Sequence, residues 1–319
     1  MESVPVASKA IYFATDIVAP IAVGCVLARR ARLSKAFFDR MMNANLIILG
    51  TSLSILTFWA IRPDRQLAWL PVLGVAMQMA AGLVGLPIAL RRYRNPLEQG
   101  SYLLSAMLSN RGVVGTVTLF LLFGEAGYAL NQLVMLLAPA VLYLVCFPLS
   151  KYFQNTHAGE PTGRLSFRSL LLTRNQVPFL GIVAGLALNL ARIERPTGIE
   201  PVIQWSVHLT AWLFLVPVGA AMNFDEMRRY WRHTVDLLPV KFVITPLATW
   251  ALAWAVGLEG LPLHAVLIAS LSPTAINAVI TARLYRLNVH LAVAAFVLTH
   301  ITYVALIFPL ILALAPRIT

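Results

Sequence analysis

The sequence predicts an all-α integral membrane protein with ten transmembrane helices, arranged as two inverted repeats of five. Three observations lead to this prediction. Charged residues make up only 12% of the 319 residues, whereas roughly 25% is usual in a soluble domain. Apolar runs of about 20 residues, each long enough for a helix to cross a bilayer, follow one another along the chain. Short motifs also recur in the two halves at a nearly constant offset.

The ten predicted helices are separated by short polar connectors. They lie near residues 10–28, 41–60, 67–90, 97–123, 126–150, 176–192, 202–222, 235–257, 263–284 and 289–315. The longest polar stretch, 151–175, is predicted to be a cytoplasmic connector between a first repeat at 1–150 and a second repeat at 176–319. The first run is interpreted as a retained helix rather than a signal peptide, because nine more runs follow it.

The distribution of basic residues predicts the orientation. The net charge of +12 is scattered over short connectors, which disfavours nucleic acid as a partner. Of the 25 lysines and arginines, 17 fall in connectors 1–2, 3–4, 5–6, 7–8 and 9–10, and 6 fall on the opposite side. By the positive-inside rule, this predicts a multi-pass protein of the cytoplasmic (inner) membrane with both termini outside. Cys25 and Cys146 are too few and too far apart for a disulfide framework or a thiolate metal site.

Repeated motifs predict a duplicated five-helix unit. Val26–Arg29 ("VLAR") and Asn189–Arg192 ("NLAR") are 163 residues apart, as are Asn110 and Pro273, and "FPL" occurs at Phe147 and again at Phe308, 161 residues later. Because five is odd, the second copy enters the membrane from the opposite face. Such an inverted repeat is the usual architecture of a secondary transporter.

Helices 4 and 9 are predicted to be interrupted at corresponding positions. The sequence "SNRG" (Ser109–Gly112) breaks helix 4, and "SLSPTAIN" (Ser270–Asn277) breaks helix 9. Ser272 is predicted to cap a half-helix that starts with Pro273, and Ser109 or Asn110 is predicted to cap another that starts at Gly112. A proline kink is the alternative for helix 9 alone. Matched breaks in both halves favour two crossed, discontinuous helices.

The crossing predicts a binding site for a carboxylate. Two half-helix N-termini would bring unpaired N–H groups and positive dipole ends together, and Arg111 adds a full charge. Arg111 has no acidic residue within four positions, so the substrate's carboxylate is predicted to pair with it, and Asp16 from another helix is the alternative partner. The predicted substrate-binding residues are Ser109, Asn110, Arg111, Gly112, Ser272, Pro273, Thr274 and Asn277.

Other polar residues within apolar runs have two interpretations each. Asp16 and His300 are candidates for proton coupling, or for ordinary hydrogen bonds between helices. Asn43 and Asn45 could line the cavity or connect helices. Lys241 is predicted to snorkel to the cytoplasmic surface, and His208 is predicted to be interfacial.

Three stretches of the sequence resemble the auxin efflux carrier family of permeases, within the wider bile/arsenite/riboflavin transporter superfamily. They are "SNRGVVGTVTLFLLFGEAGYAL", "LARRARLS" after helix 1, and "SLSPTAINAVITARLYRLNVHLA", and the order of the motifs matches over almost the whole chain. The residues that fit the family pattern are Asn110, Gly112, Gly115, Phe123, Gly124 and Pro273. Thr116 departs from it, because the family often has a proline there.

The resemblance implies transport of small organic anions such as auxins or dicarboxylates, by a scaffold domain and a moving crossed-helix domain. The related bile acid:sodium symporter family shares this architecture, so a sodium-coupled organic anion symporter is the alternative function. A receptor that binds its ligand without transport is a third. No zinc-protease motif, paired aspartates, phosphate loop or cofactor motif occurs, which disfavours an enzyme, a cofactor and a metal site. The expected partners are a small organic anion and the lipid bilayer. Protons are a candidate partner, and a homodimer is left open.

Overall fold

A computed structural model of the chain describes residues 11–12, 14–30, 34–61, 64–159, 177–222 and 224–314. These residues form helices joined by short connectors. The helices are α1 (14–30), α2 (35–59), α3 (Arg65–Arg92), α4 (Pro96–Met107), α5 (111–135), α6 (138–158), α7 (Val177–Leu190), α8 (Glu200–Ala221), α9 (Phe224–Thr234), α10 (Leu237–Ala255), α11 (Gly260–Ser270), α12 (Ile276–Leu284) and α13 (Val289–Leu314). Both chain ends, Arg62 and most of the predicted 151–175 connector lie outside the described residues.

Six helical stretches among the described residues are long and apolar enough to cross a membrane. They are Ala36–Trp59, Arg65–Arg92, Arg111–Ala158, Glu200–Ala221, Leu237–Ala255 and Val289–Leu314. The described part of the chain is therefore all-helical, and the length and composition of these helices are those of a membrane protein. Two further apolar helices are shorter, Leu180–Leu190 and Gly260–Ser270. Gly124 (φ 60°, ψ −144°) bends α5 sharply, a conformation that glycine adopts without steric cost.

Connectors gather at two ends of the helix bundle. At the basic end (91–98, 222–236 and 283–290), Arg92 pairs with Asp236 at 3.2 Å, and the Asn288 amide donates to the Leu97 carbonyl at 3.3 Å. At the opposite end (59–66, 124–126, 191–200 and 256–260), Arg195 pairs with Glu125 at 2.6 Å. Successive long helices therefore run in alternating directions between the two ends.

The helices α1, α2, α7 and α8 pack as one group, the frame, through close contacts at glycines. A Cβ added at Gly24 or Gly219 would lie 2.0 Å from a backbone oxygen of the facing helix, so α1 and α8 touch through their backbones. Gly181 and Gly185 make the same kind of contact between α7 and α2, with Cβ distances of 2.6 and 2.4 Å. A side chain at any of these positions would force the helices apart.

The helices α3–α6 and α10–α13 form a second group, the crossing group, which contains most of the hydrophobic core. At Gly74, α3 lies directly against α5, because an added Cβ would be 1.9 Å from the Val134 carbonyl oxygen. The frame contacts this group mainly through α5, where Tyr128 packs with Leu53 and Val207.

Candidate functional site

The breaks between α4 and α5 and between α11 and α12 lie against each other in the crossing group. The Asn110 amide donates to the Pro273 carbonyl at 2.6 Å, and the Ala275 amide donates to the Leu108 carbonyl at 2.8 Å. Ser109 and Thr274 thereby form a short antiparallel bridge. Buried backbone groups need partners, and each break supplies them to the other. This pairing is the arrangement that the matched motifs predict.

The helix ends at the crossing are not capped as the sequence predicts. The half-helix in α5 starts at Arg111, and neither Ser109 nor Asn110 caps it through its side chain. The half-helix α12 starts at Ile276 after an extended Ala275, so Ser272 and Pro273 lie in the break instead of beginning the helix. The predicted caps are therefore wrong, because hydrogen bonds between the breaks hold Thr274 in the antiparallel bridge and Ala275 extended.

Arg111 is fully enclosed, with 1% of its surface exposed. Its Nη1 donates to the Gly74 carbonyl oxygen at 2.9 Å. Arg111 can reach this carbonyl because Gly74, which has no side chain, lets α3 lie directly against α5. Asp16, the alternative partner considered from the sequence, pairs with His208 instead.

Lys241 is a second buried cation that the sequence-based interpretation missed. It lies in α10 with 0% exposure, and its Nζ donates to the Leu108 carbonyl at 3.1 Å and to Ser109 Oγ at 2.8 Å. The prediction that Lys241 snorkels to the surface is therefore wrong. The Leu108 carbonyl, at the C-terminal end of α4, accepts from both the Ala275 amide and the Lys241 ammonium group, and the negative end of the helix dipole favours a cation there.

Neither buried cation has a carboxylate partner. Among the described residues, the ion pairs within 4.0 Å involve Arg92, Arg195 and His208, and none involves Arg111 or Lys241. A charged side chain at the centre of a membrane helix costs about 2.5–3.5 kcal/mol on insertion scales. Two basic side chains are therefore buried at the crossing, and among the described residues their hydrogen-bond partners are neutral oxygens.

Neutral polar side chains surround the two cations. Asn110 Nδ2 lies 3.0 Å from His300 Nε2. The Thr274 amide donates to Thr299 Oγ1 at 3.1 Å, and the Thr274 hydroxyl donates to the Ser105 carbonyl at 3.1 Å. These bonds connect both breaks to α13 and α4.

Asn131 and Ser272 have buried oxygens without a hydrogen-bond partner. Asn131, which sequence analysis did not single out, donates its Nδ2 to the Arg111 carbonyl at 2.9 Å and to Thr116 Oγ1 at 2.7 Å. Its Oδ1 and Ser272 Oγ remain unsatisfied. Both oxygens are near Gly115, at 3.6 and 2.9 Å from the position of an added Cβ. A hydrogen-bonding ligand group would satisfy them.

The remaining predicted residues are only partly brought together. Gly112 lies at the crossing against Met135, with an added Cβ 3.0 Å from Met135 Cε. Asn277 is exposed on α12, outside the enclosed cluster. Asn43 is also exposed, whereas Asn45 donates to the Thr210 carbonyl at 3.1 Å and connects α2 to α8. The three asparagines therefore lie apart from the two cations.

The sequence of the chain matches no protein-family model and no curated protein. The class that the fold defines is a helical multi-pass membrane protein, and its function has to be argued from the crossing.

Proposed function

We propose that this chain is a secondary transporter that moves a small organic anion with a carboxylate group across the cytoplasmic membrane by alternating access. The observation that carries the proposal is the burial of Arg111 and Lys241 without an acidic partner in the part of the chain that the structure describes. Two unpaired cations are costly for the fold, and their cost is recovered when an anion binds between them.

A carboxylate matches the chemistry of this crossing. The guanidinium of Arg111 can hold both carboxylate oxygens at once, and the ammonium of Lys241 adds a second charge. Ser272 and Asn131 offer a hydroxyl and an amide oxygen for another polar group of the substrate. The proposed substrate-binding residues are Ser109, Asn110, Arg111, Ser272, Pro273 and Thr274 from the sequence, with Lys241 and Asn131 added.

Two further features support alternating access. The frame is held by backbone contacts at its four glycines, whereas it meets the crossing group mainly through α5. We therefore infer that the crossing group moves against the frame. Such movement around a midplane site is the usual mechanism of inverted-repeat transporters.

The proposal includes ten spans in two inverted repeats. Its support is the matched pair of helix breaks and the two "FPL" motifs. Each motif follows a five-residue π-helical turn, Leu142–Cys146 before Phe147 and Tyr303–Ile307 before Phe308. The same local structure thus recurs at the 161-residue offset. The basic end is assigned to the cytoplasm by the positive-inside rule, with both termini outside.

We expect proton coupling or passive exchange, and no tightly bound sodium. A sodium ion needs oxygen ligands and negative charge, but this crossing carries two positive charges. The sodium symporter alternative predicts that uptake rises steeply with sodium at fixed pH and voltage.

Uptake into proteoliposomes tests the proposal. Radiolabelled malate and indole-3-acetate serve as probes, and empty vesicles serve as the control. We expect saturable uptake of at least one acid by the wild type, lost in Lys241→Met and kept in Arg283→Ala, an exposed cation at the basic end. Binding without uptake would support the receptor alternative, and neither binding nor uptake would overturn the proposal.

A further inference from the structure

Asp16 and His208 form an acid–base pair between two helices of the frame, in which Asp16 is buried and His208 is partly buried. Asp16, in the first turn of α1, is 4% exposed, and its Oδ2 lies 2.5 Å from His208 Nδ1 in α8. Aromatic rings cover the imidazole. Tyr12 stacks on it at 5.1 Å, and Phe120 and Trp205 approach edge-on at 6.4 Å. We propose that this pair is a proton-binding site that couples proton movement to anion transport, an inference that rests on the function proposed above.

The chemistry of the pair suits a single exchangeable proton. With one proton shared between them, the carboxyl and the imidazole carry no net charge. Without it, an Asp16 carboxylate remains buried beside a neutral imidazole, and an uncompensated buried charge is costly. The pair therefore has two states that differ by one proton and one unit of charge.

The pair is not needed to attach α1 to α8. The two helices already touch through their backbones at Gly24 and Gly219, and Cys25 Sγ donates to the Gly219 carbonyl at 3.2 Å. An uncharged pair would serve equally well as a helix connection. An ionisable pair at this place therefore points to a function beyond packing.

No other charged group competes for the pair among the described side chains. Tyr12 is the titratable group in contact with the imidazole, and Glu200 is eight residues away on α8, about 12 Å along the helix axis. The other titratable groups on helices that pack against α8 are Cys25, Arg29, Arg30, Lys35, Asp39, Arg40, Arg111, Glu125 and Tyr128. Within the described part of the chain, Asp16 and His208 form an ion pair only with each other.

Phe120 connects the pair to the crossing. It belongs to the half-helix that starts at Arg111, nine residues earlier and about 13 Å along the axis. Movement of the crossing group against the frame would carry Phe120 away from His208 and open the pair to water. Proton affinity then differs between the two states of the transporter, which is the requirement for coupling.

The test combines proton flux with a fluorescence titration. Proteoliposomes that contain a pH-sensitive dye, with voltage clamped by potassium and valinomycin, receive malate or indole-3-acetate without a pH gradient. We expect the wild type to move protons with the acid. Asp16→Asn and His208→Gln should take up the acid with at least a tenfold smaller proton flux per anion. Glu194→Gln and His157→Gln, which change exposed residues, are matched controls that should behave like the wild type.

A second measurement reports on the pair itself. A protonated imidazole quenches the fluorescence of a neighbouring indole, so the emission of Trp205 should change with pH in the wild type. The Trp205 emission is obtained by subtracting the spectrum of Trp205→Phe. In His208→Gln, this emission should no longer change with pH. A pH-independent Trp205 signal in the wild type overturns the proposal without any need for the variants to fold. Unchanged proton flux in both variants overturns it too. Absence of acid uptake by the wild type would instead overturn the proposed transport and, with it, the coupling.

Discussion

Asn110 and His300 share a buried hydrogen bond of 3.0 Å that connects the break in the first half of the chain to the last helix. His300 Nδ1 lies 2.8 Å from the Phe296 carbonyl, so it carries the ring proton, and Nε2 accepts from the Asn110 amide. The second ring nitrogen of a histidine fixes its tautomer in this way. His300 is therefore neutral in this arrangement and orients Asn110.

Breaking this bond should destabilise the protein. Asn110→Ala leaves His300 Nε2 buried without a donor, and we expect a loss of about 1–3 kcal/mol in unfolding free energy. Asn110→Ala combined with His300→Phe should lose less than the sum of the two single variants. Additive losses in a denaturant titration would show that the two side chains do not interact.

Arg111→Ala should abolish or sharply weaken anion binding while leaving the melting temperature in detergent nearly unchanged. Loss of a charge-assisted bond to a carboxylate costs about 1.5–3 kcal/mol, which weakens binding on the order of 10- to 100-fold. Arg111→Lys should keep partial activity, because the charge remains and the bidentate geometry does not. Affinity and melting temperature are measured on the same preparations. Normal binding by the alanine variant would make Arg111 structural.

Lys241→Met should abolish transport and leave stability equal to or above that of the wild type. The methionine fills similar volume without a buried charge, and the Leu108 carbonyl keeps its bond from the Ala275 amide. Thermal unfolding checks the expected stability and an uptake assay checks the expected loss of transport, with Arg283→Ala as the control in both measurements. A large drop in melting temperature would show that Lys241 mainly holds the crossing together.

Gly74→Ala should be among the most damaging small substitutions. Its Cβ would lie 1.9 Å from the Val134 carbonyl oxygen, so α3 and α5 must separate and the acceptor of Arg111 must move. Overpacking of this kind costs about 3 kcal/mol or more. Gly159→Ala, at a glycine with φ 69° and open space around it, is the control and should cost about 1 kcal/mol. Equal losses of unfolding free energy in Gly74→Ala and Gly159→Ala would contradict the close contact between α3 and α5.

Cysteine labelling tests the proposed orientation. In a background with Cys25 and Cys146 replaced by alanine, cysteines at Arg92 and Arg229 should resist an impermeant reagent added outside intact cells. A cysteine at Arg65, exposed at the opposite end, should react. The reverse labelling would invert the orientation.

The location of the crossing could be predicted from sequence, but its contacts could not. A polar residue such as Asn110 or a helix-breaking residue such as Pro273 interrupts a long apolar run, and such an interruption stands out against the apolar composition around it. Lys241 was misjudged because an almost uniformly apolar helix gives no periodicity to distinguish an inward from an outward face. The partner of a long, flexible cation depends on tertiary packing alone.

Side-chain pairs between segments that are distant in the chain could not be predicted from the sequence either. The sequence identifies Asp16 and His208 as separate polar residues within apolar runs, but it does not pair them, because their contact depends on α1 lying on α8 at two glycines. Asn131 follows the Gly124 bend, which turns α6 and the end of α5 back toward Arg111. The predicted caps failed for a related reason, because local capping rules assume a helix end without a β-like partner opposite it.

The exchange of backbone hydrogen bonds between the two breaks has a consequence for biosynthesis. The Leu108 carbonyl pairs with the Ala275 amide and the Asn110 amide pairs with the Pro273 carbonyl, more than half a chain later. When the ribosome has completed the first half, these peptide groups have no protein partner in the membrane. The nascent first half must therefore remain loosely assembled, or be sheltered by water or an insertion factor, until the last third of the chain has been synthesised.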